Sequence, residues 1–305
     1  RILRQCDCED AHGTVSRLRS GRYAAEIYTR KQDFPLSSVM KALSARLDVT
    51  LGSMESRQQN GSRICLYEVP VYSLEYDIHS VNAPAYERCG DQTDAFTDGV
   101  GNQYLVLSDG MGSGSTASLA SRIAVRTLRR MIGSDMPPET AIRLVNTLLL
   151  SETNTENFAT LDVLILDADS GELTLYKSGA AATLLCRQGK VHRIISQSFP
   201  VGIVPDALPS RKHMTALAGD CIVMLSDGIG EGEYPYIRQL LLQGMPLSDV
   251  TRTVCEKATV FLGAAPRDDM TVIAARVCAQ NSTELTKSVE QNTYKSSQVA
   301  VETVQ

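Results

Sequence analysis

Apolar positions recur with two different periods along this chain, and the change between them divides it. In the first part, Pro35-Leu-Ser-Ser-Val-Met-Lys-Ala-Leu-Ser-Ala-Arg-Leu47 sets Leu36, Val39, Met40, Leu43 and Leu47 on one face at helical spacing. Pro35 suits the start of such a helix. The stripe needs a surface to cover it; packing on its own domain and a regulatory or dimer contact both meet that need. Arg22 to Tyr28 reads as a strand, and Gln58-Gln-Asn-Gly61 as a turn or linker. Residues 1–61 are therefore expected to form a small N-terminal α/β regulatory segment.

From Ile64 the period shortens to that of strands. Candidates are Ile64–Val69, Ser73–Val81, Gln103–Leu107, Thr160–Leu166, Leu173–Lys177, Thr183–Arg187, Val191–Ile195, Cys221–Leu225 and Met270–Val277. Turn signals such as Asp169-Ser-Gly171 and Arg187-Gln-Gly-Lys190 separate them. Helical patterns run from Thr116 to Ile132, after Pro137-Pro138 with Ala141, Leu144, Val145 and Leu148 on one face, and from Pro246 to Phe261. Strands and helices do not alternate one for one. The pattern predicts an α+β fold: an antiparallel β-sandwich flanked by helices, over residues 62–278. Residues 279–305 are rich in Ser, Thr, Gln, Asn and Lys without an aliphatic cluster, and read as a disordered polar tail.

Composition narrows the function. The 305 residues are 43% hydrophobic but only 5% aromatic with no Trp, so aliphatic side chains fill the core. The formal net charge of −5 argues against broad nucleic-acid binding, which needs a basic surface. No apolar run approaches the roughly 20 residues of a membrane span. The chain opens on Arg1 and reads as a piece of something longer. Eight cysteines without a C-x-x-C pair read as free thiols of a reducing, cytoplasmic setting. Cys6-Asp-Cys8 with His12 is the one cluster with ligand-like spacing, and it lacks a fourth ligand.

The chemistry lies where strands end. Tyr104–Leu107 runs into Ser-Asp109-Gly110-Met-Gly-Ser-Gly and then a helix, and Cys221–Leu225 runs into Ser-Asp227-Gly-Ile-Gly230. Asp91 lies in Cys89-Gly-Asp91, and Asp268-Asp269 immediately precedes the last strand. A lone Asp-Gly is an ordinary turn dipeptide. Several acidic strand ends, mostly without adjacent Lys or Arg, would repel one another if they met. A hard divalent cation resolves that repulsion: Mg²⁺ or Mn²⁺ takes oxygen ligands. Two such ions, about 3.5–4 Å apart, activate water and clamp a phosphoryl group for in-line attack.

Asp109-Gly-Met-Gly-Ser-Gly-Ser-Thr-Ala117, Phe158-Ala-Thr-Leu-Asp162, Phe199-Pro-Val-Gly-Ile203, Leu225-Ser-Asp-Gly228 and Asp268-Asp-Met-Thr271 stand in the order found in bacterial metal-dependent serine phosphatases. Over about residues 62–278 the chain resembles the type 2C phosphatase family, and within it the sporulation branch, the C-terminal part of the stage II sporulation protein E family. The resemblance implies a β-sandwich flanked by helix pairs and a Mn²⁺- or Mg²⁺-dependent protein serine phosphatase using two ions. It implies a phosphorylated anti-anti-sigma factor as substrate. It also implies a helical switch, dimer contacts and a cytoplasmic position within a membrane-anchored parent.

Carried over residue by residue, Asp109 bridges both metals and the Gly110 carbonyl binds one. Asp227 and Asp268 complete the other, and Asp91 holds metal-bound water or the second metal. Asp269 stands where many relatives have Asn and is expected to support the site or cap the strand. Only the family pattern, not spacing, prefers Asp268 over Asp269 as a ligand. Arg88, shortly before Asp91, is a candidate to hold substrate phosphate, since a guanidinium fork suits that anion.

Rival chemistries fit less well. The stretch after Asp109 is neither G-x-G-x-x-G nor G-x-x-x-x-G-K-[ST], and a carboxylate at its mouth repels a bare phosphate. No Cys is followed six positions later by Arg, as thiol phosphatase chemistry requires. The remaining alternative is a type 2C-like regulatory or binding module with catalysis lost.

Overall fold

The computed structural model describes residues 2–6, 8–18, 21–31, 33–58, 61–83, 89–111, 115–151, 158–261 and 268–279. Two compact units divide at Val71/Tyr72. The first contains helix α1 (Ile2–Gln5), strands β1 (His12–Arg17) and β2 (Tyr23–Thr29), helix α2 (Leu36–Leu47), and strands β3 (Leu51–Gln58) and β4 (Gly61–Glu68). Its antiparallel sheet has the order β1-β2-β4-β3. The α2 stripe is used inside this unit: Val39 and Leu43 are buried with Ile27, Ile64 and Leu66, and Leu36 and Met40 pack beside them. The helix stops at Asp48, whose left-handed backbone (φ 57°) returns its N–H to the Ser44 carbonyl.

The sequence reading places a break after residue 61; the structure instead keeps Gly61–Glu68 in the first unit. The reason is pairing, since β4 lies between β2 and β3 and bonds to both. Strand β1 is exposed throughout and β3 is largely polar, so neither carries the alternation that marks a half-buried strand. Cys8 is buried with its thiol donating to the Cys6 carbonyl at 3.2 Å, and His12 stacks on Tyr28.

The second unit, Tyr72–Ala279, contains β5 (Tyr72–Val81), β6 (Asp91–Thr97), β7 (Gln103–Asp109), α3 (Ser115–Gly133), α4 (Pro138–Ser151), β8 (Leu161–Leu166), β9 (Glu172–Ser178), β10 (Thr183–Arg187), β11 (Lys190–Ile194), β12 (Ser210–Thr215), β13 (Cys221–Leu225), a 3₁₀ turn (Glu231–Glu233), α5 (Tyr234–Leu242), α6 (Leu247–Phe261) and β14 (Met270–Ala279). One sheet runs β12-β9-β8-β7-β6 and the other β11-β10-β13-β14-β5, with every named pairing antiparallel. This is the expected sandwich with helices on both outer faces.

Period-two alternation builds the layers. On β7, Tyr104 and Val106 face α3 and α4, while Leu105 and Leu107 face the opposite sheet. On β13, Val223 and Leu225 face α5 and α6, while Ile222 and Met224 face inward. Burying a leucine in such a layer contributes about 1.5–3 kcal/mol. On α4 the buried face is Ala141, Ile142, Val145 and Leu149, turned from the predicted one, and Leu148 is exposed. Strands β6 and β12 and helix α5 carry no predicted element. The first two are polar along much of their length, and the third is a short run beginning in Tyr-Pro. No helix among the described residues is long and apolar enough to cross a membrane. Ala279 closes β14, and the predicted tail from residue 280 lies outside the described residues.

Candidate metal centre

The layer between the sheets changes character at one end. Two residues beyond Leu107 on β7 stands Asp109; two beyond Met224 on β13 stands Ser226; two before Ile273 on β14 stands Thr271. On β6 the same face carries Ala95, Thr93 and Asp91, and on β5 it carries Ile78 and Ser80. Apolar inter-sheet packing therefore ends in a polar floor made by both sheets. Asp91 and Asp109 are register partners across β6 and β7, an arrangement that sets like charges directly opposite. Ser226 and Thr271 tie the other sheet. The Thr271 N–H donates to the Ser226 hydroxyl at 2.8 Å, and the Thr271 hydroxyl bonds to Ser80 at 2.9 Å.

The loops around this floor are held by backbone bonds. The buried Asp269 carboxylate accepts the Ala83 N–H at 2.7 Å and the Gly90 N–H at 2.5 Å. The Gly90 carbonyl in turn accepts the Ser121 hydroxyl from α3 and the Gly110 N–H. A β-carbon at Gly90 would lie 3.3 Å from Asp269 Oδ2, 3.7 Å from the Gly110 carbonyl oxygen and 3.8 Å from Asp109 Oδ1. That glycine opens a cradle lined by oxygen. Gly228 is required more strictly, because a β-carbon there would meet the Asp269 carbonyl at 2.1 Å. This is why the Asp227 turn continues into glycine.

Electrostatics shows which carboxylates meet. Burial is the main cause that pushes Asp109 up to about 9, and Asp91, Asp227 and Asp268 add to it as neighbouring negative charges. Asp91 is pushed up to about 6, again mainly by burial. The Thr271 and Ser226 hydroxyls face Asp91 and favour its charged form, yet neither closes a bond of ordinary geometry. Both Asp91 carboxylate oxygens are buried without a hydrogen-bond partner. Asp268 is raised by burial, opposed by the Asp269 N–H that donates to it at 2.8 Å. Nearby thiols are inert: burial, then Asp91 and Asp269, push Cys89 up to about 12.

The structure thus brings Asp91, Asp109, Gly110, Asp227 and Asp268 to one end of the sandwich. Asp91 lies in the floor, and Asp227 and Asp268 are exposed at the mouth. Asp269 is committed to two backbone donors. Arg88 lies outside the described residues, as do residues 112–114 of the glycine-rich stretch. Among the described residues no three His, Cys, Asp or Glu side chains stand at a common metal-ligating spacing. The donor set nevertheless fits a hard divalent cation: oxygen atoms only, two of them buried and unpartnered, and a carboxylate whose raised proton affinity reports a missing counter-charge.

Sequence reasoning misses the brace behind Asp109. The Asp109 N–H donates to the Thr160 hydroxyl at 3.0 Å, and the Thr160 N–H donates to the Asp109 carbonyl at 2.7 Å. Ala159 bridges Gly110 on one side and Val201 on the other, so Phe158–Asp162 and Phe199–Ile203 flank the Asp109-Gly110 turn. Below Thr160, Asp162 is ion-paired with Lys177, both side chains 1% exposed. The Thr183 hydroxyl from the opposite sheet joins them, taking a bond from Lys177 at 2.7 Å and donating to Asp162 at 3.0 Å. A lysine continuing the inward row of Leu173 and Leu175 was the available signal.

Comparison with known proteins follows this geometry. The profile of the Stage II sporulation protein E (SpoIIE) family matches residues 99–278. The stage II sporulation protein E of Bacillus subtilis (strain 168) is 26% identical over 196 residues, 62% of this chain and 24% of that protein. The chain spans roughly a quarter to two fifths of the curated relatives it matches. Among solved structures, the PP2C phosphatase domain with a regulatory-domain fragment of SpoIIE from Bacillus subtilis superposes with a TM-score of 0.67 at 20% identity. That match covers 88% of this chain and 82% of that one. The catalytic domain of the serine/threonine phosphatase PstP, in complex with two manganese ions, gives 0.57 at 20% identity over 68% of this chain and 99% of that one. The fold is that of PP2C phosphatase domains.

Proposed function

The chain belongs to the stage II sporulation protein E family, and from that membership we propose that its second unit is a metal-dependent protein serine phosphatase. One observation carries the reading: acidic side chains from both sheets meet at one end of the sandwich, where the buried oxygens of Asp91 have no partner and Asp109 is pushed up to about 9. Asp91, Asp109, the Gly110 carbonyl, Asp227 and Asp268 would hold two ions, Mn²⁺ or Mg²⁺. When bound, such ions supply Lewis-acid activation of water and of the phosphoryl oxygens.

The protein's own groups do the rest. Asp109, fixed by Thr160 on both backbone atoms, presents its carboxylate at a set place. Asp91 keeps two lone-pair-bearing oxygens without a protein donor, which leaves them to orient a water for attack on phosphorus. Asp269 spends its charge on the Ala83 and Gly90 N–H groups and so holds the turn before Asp91 in register. The Cys89 thiol beside the site, pushed up to about 12, does not compete as nucleophile.

A silent binding module is the alternative reading. Against it stands the cost of keeping the buried Asp91 and the half-buried Asp109 as facing carboxylates, which a module without metal chemistry has no use for. The substrate we propose is a phosphorylated anti-anti-sigma factor. Phosphate release from phosphoserine forms of such proteins, with Mn²⁺ and with chelator, tests this. Metal-dependent release from one of them supports the assignment; none from any phosphoserine protein refutes it. A homodimer and a membrane-anchored parent belong to the same reading. Sedimentation velocity and fractionation of the full-length protein check them.

A further inference from the structure

Helix α3 carries Arg122, Arg126, Arg129 and Arg130 and no Asp or Glu over Ser115–Gly133, in a chain of net charge −5. Arg129 is accounted for, paired with Asp94 at 2.6 Å and lying over Phe96. Arg122, Arg126 and Arg130 recur every four residues and form one row along the helix. None of the three is ion-paired with a described residue, unlike Arg143, Arg187 and Arg252. Between them Leu119, Ile123 and Thr127 line a shallow groove, with Leu119 39% exposed. Like charges at this spacing repel, so the row gains from an acid supplied by another molecule.

The row also has a place. Ser121, next to Arg122, donates to the Gly90 carbonyl, and the Gly90 N–H holds Asp269. The arginines therefore lead away from the metal centre. We propose that this face of α3 docks an acidic, amphipathic helical segment flanking the phosphoserine of the protein substrate, an inference that rests on the phosphatase reading. Acidic residues on the segment meet the arginine row, and its apolar side chains meet Leu119 and Ile123. The complementarity answers a problem of the site: its own carboxylates repel an acidic phosphoprotein, and the arginine row offsets that repulsion and steers the approach.

Two synthetic phosphoserine peptides test it. They are identical around the phosphoserine and carry either a Glu/Leu amphipathic helix or the same helix with Gln for Glu. The chain is compared with the triple variant Arg122→Gln, Arg126→Gln, Arg130→Gln, which keeps good helix formers. The chain is expected to favour the acidic peptide by about 10-fold in kcat/KM, through KM and with loss at high salt, as screened rim charges behave. The ratio falls to about 1 in the variant, in keeping with a charge-only contribution. Equal kcat/KM for both peptides overturns the proposal. So does an unchanged ratio in the variant, and so does arginine-dependent binding to phosphatidylserine vesicles without discrimination between peptides. Fluorescence anisotropy of the unphosphorylated acidic peptide without metal reads docking apart from turnover. If neither phosphopeptide is hydrolysed, the phosphatase reading fails while docking is still decided by whether the variant loses that binding.

Discussion

Asp109 concentrates the tension of this molecule. Its carboxyl is pushed from an ordinary 3.8 to about 9 by burial and three acidic neighbours. Between those values the folded protein holds a proton that the unfolded chain has released, so without a cation stability falls as pH rises from about 4 to about 9. Asp109→Asn removes the charge at nearly constant shape. It is expected to raise the melting temperature of chelator-treated protein at pH 8, by about 2–4 °C per kcal/mol relieved, and to have little effect near pH 4. The same variant is expected to lose phosphatase activity by about a hundredfold or more. Thermal melts at both pH values check the first statement; an unchanged or lower melting temperature at pH 8 contradicts it. Asp269 behaves oppositely. Asp269→Ala leaves the Ala83 and Gly90 N–H groups buried and unpaired, and is expected to cost about 2–5 kcal/mol in denaturant unfolding.

Strands set what these residues can do. Asp109 and Asp227 were legible because each sits after an apolar strand in the same Ser-Asp-Gly context. Their faces were not: Asp109 continues the inward row of Leu107, whereas on β13 Ser226 continues the row of Met224 and Asp227 is exposed. Asp268 and Asp269 were not separable by spacing. Three-dimensional hydrogen bonding divides their roles, since only Asp269 reaches donors more than 170 residues away in sequence. The partners of Lys177 were not legible for a similar reason, Asp162 and Thr183 lying on two other strands, one of them in the opposite sheet. The N-terminal boundary was misplaced because β3 is too polar to read as a strand, so the sequence between β3 and β4 looked like a linker. Lys177→Met leaves Asp162 charged and buried, and is expected to cost about 3–5 kcal/mol. Adding Asp162→Leu is expected to recover most of it, and a double-mutant cycle by urea unfolding measures the coupling. Additive losses would contradict the brace.

The whole chain separates two tasks. The first unit buries its own helix stripe, and the second unit gathers its acidic residues from both sheets of a sandwich whose interior, the Asp162–Lys177–Thr183 brace apart, is mainly aliphatic. The fold was readable because alternation survives along the core strands; edge strands such as β12, exposed and charged, gave no such pattern. Cation binding should stabilise the folded chain by mass action, about 2.7 kcal/mol at a hundredfold excess over Kd. Calorimetric titration of the chelator-treated chain with Mn²⁺, in buffers of different ionisation enthalpy, probes the centre directly. The expected result is saturable binding of two ions with proton release at neutral pH, and loss of at least one ion in Asp109→Asn. No saturable binding, or an identical isotherm in the variant, would contradict the account.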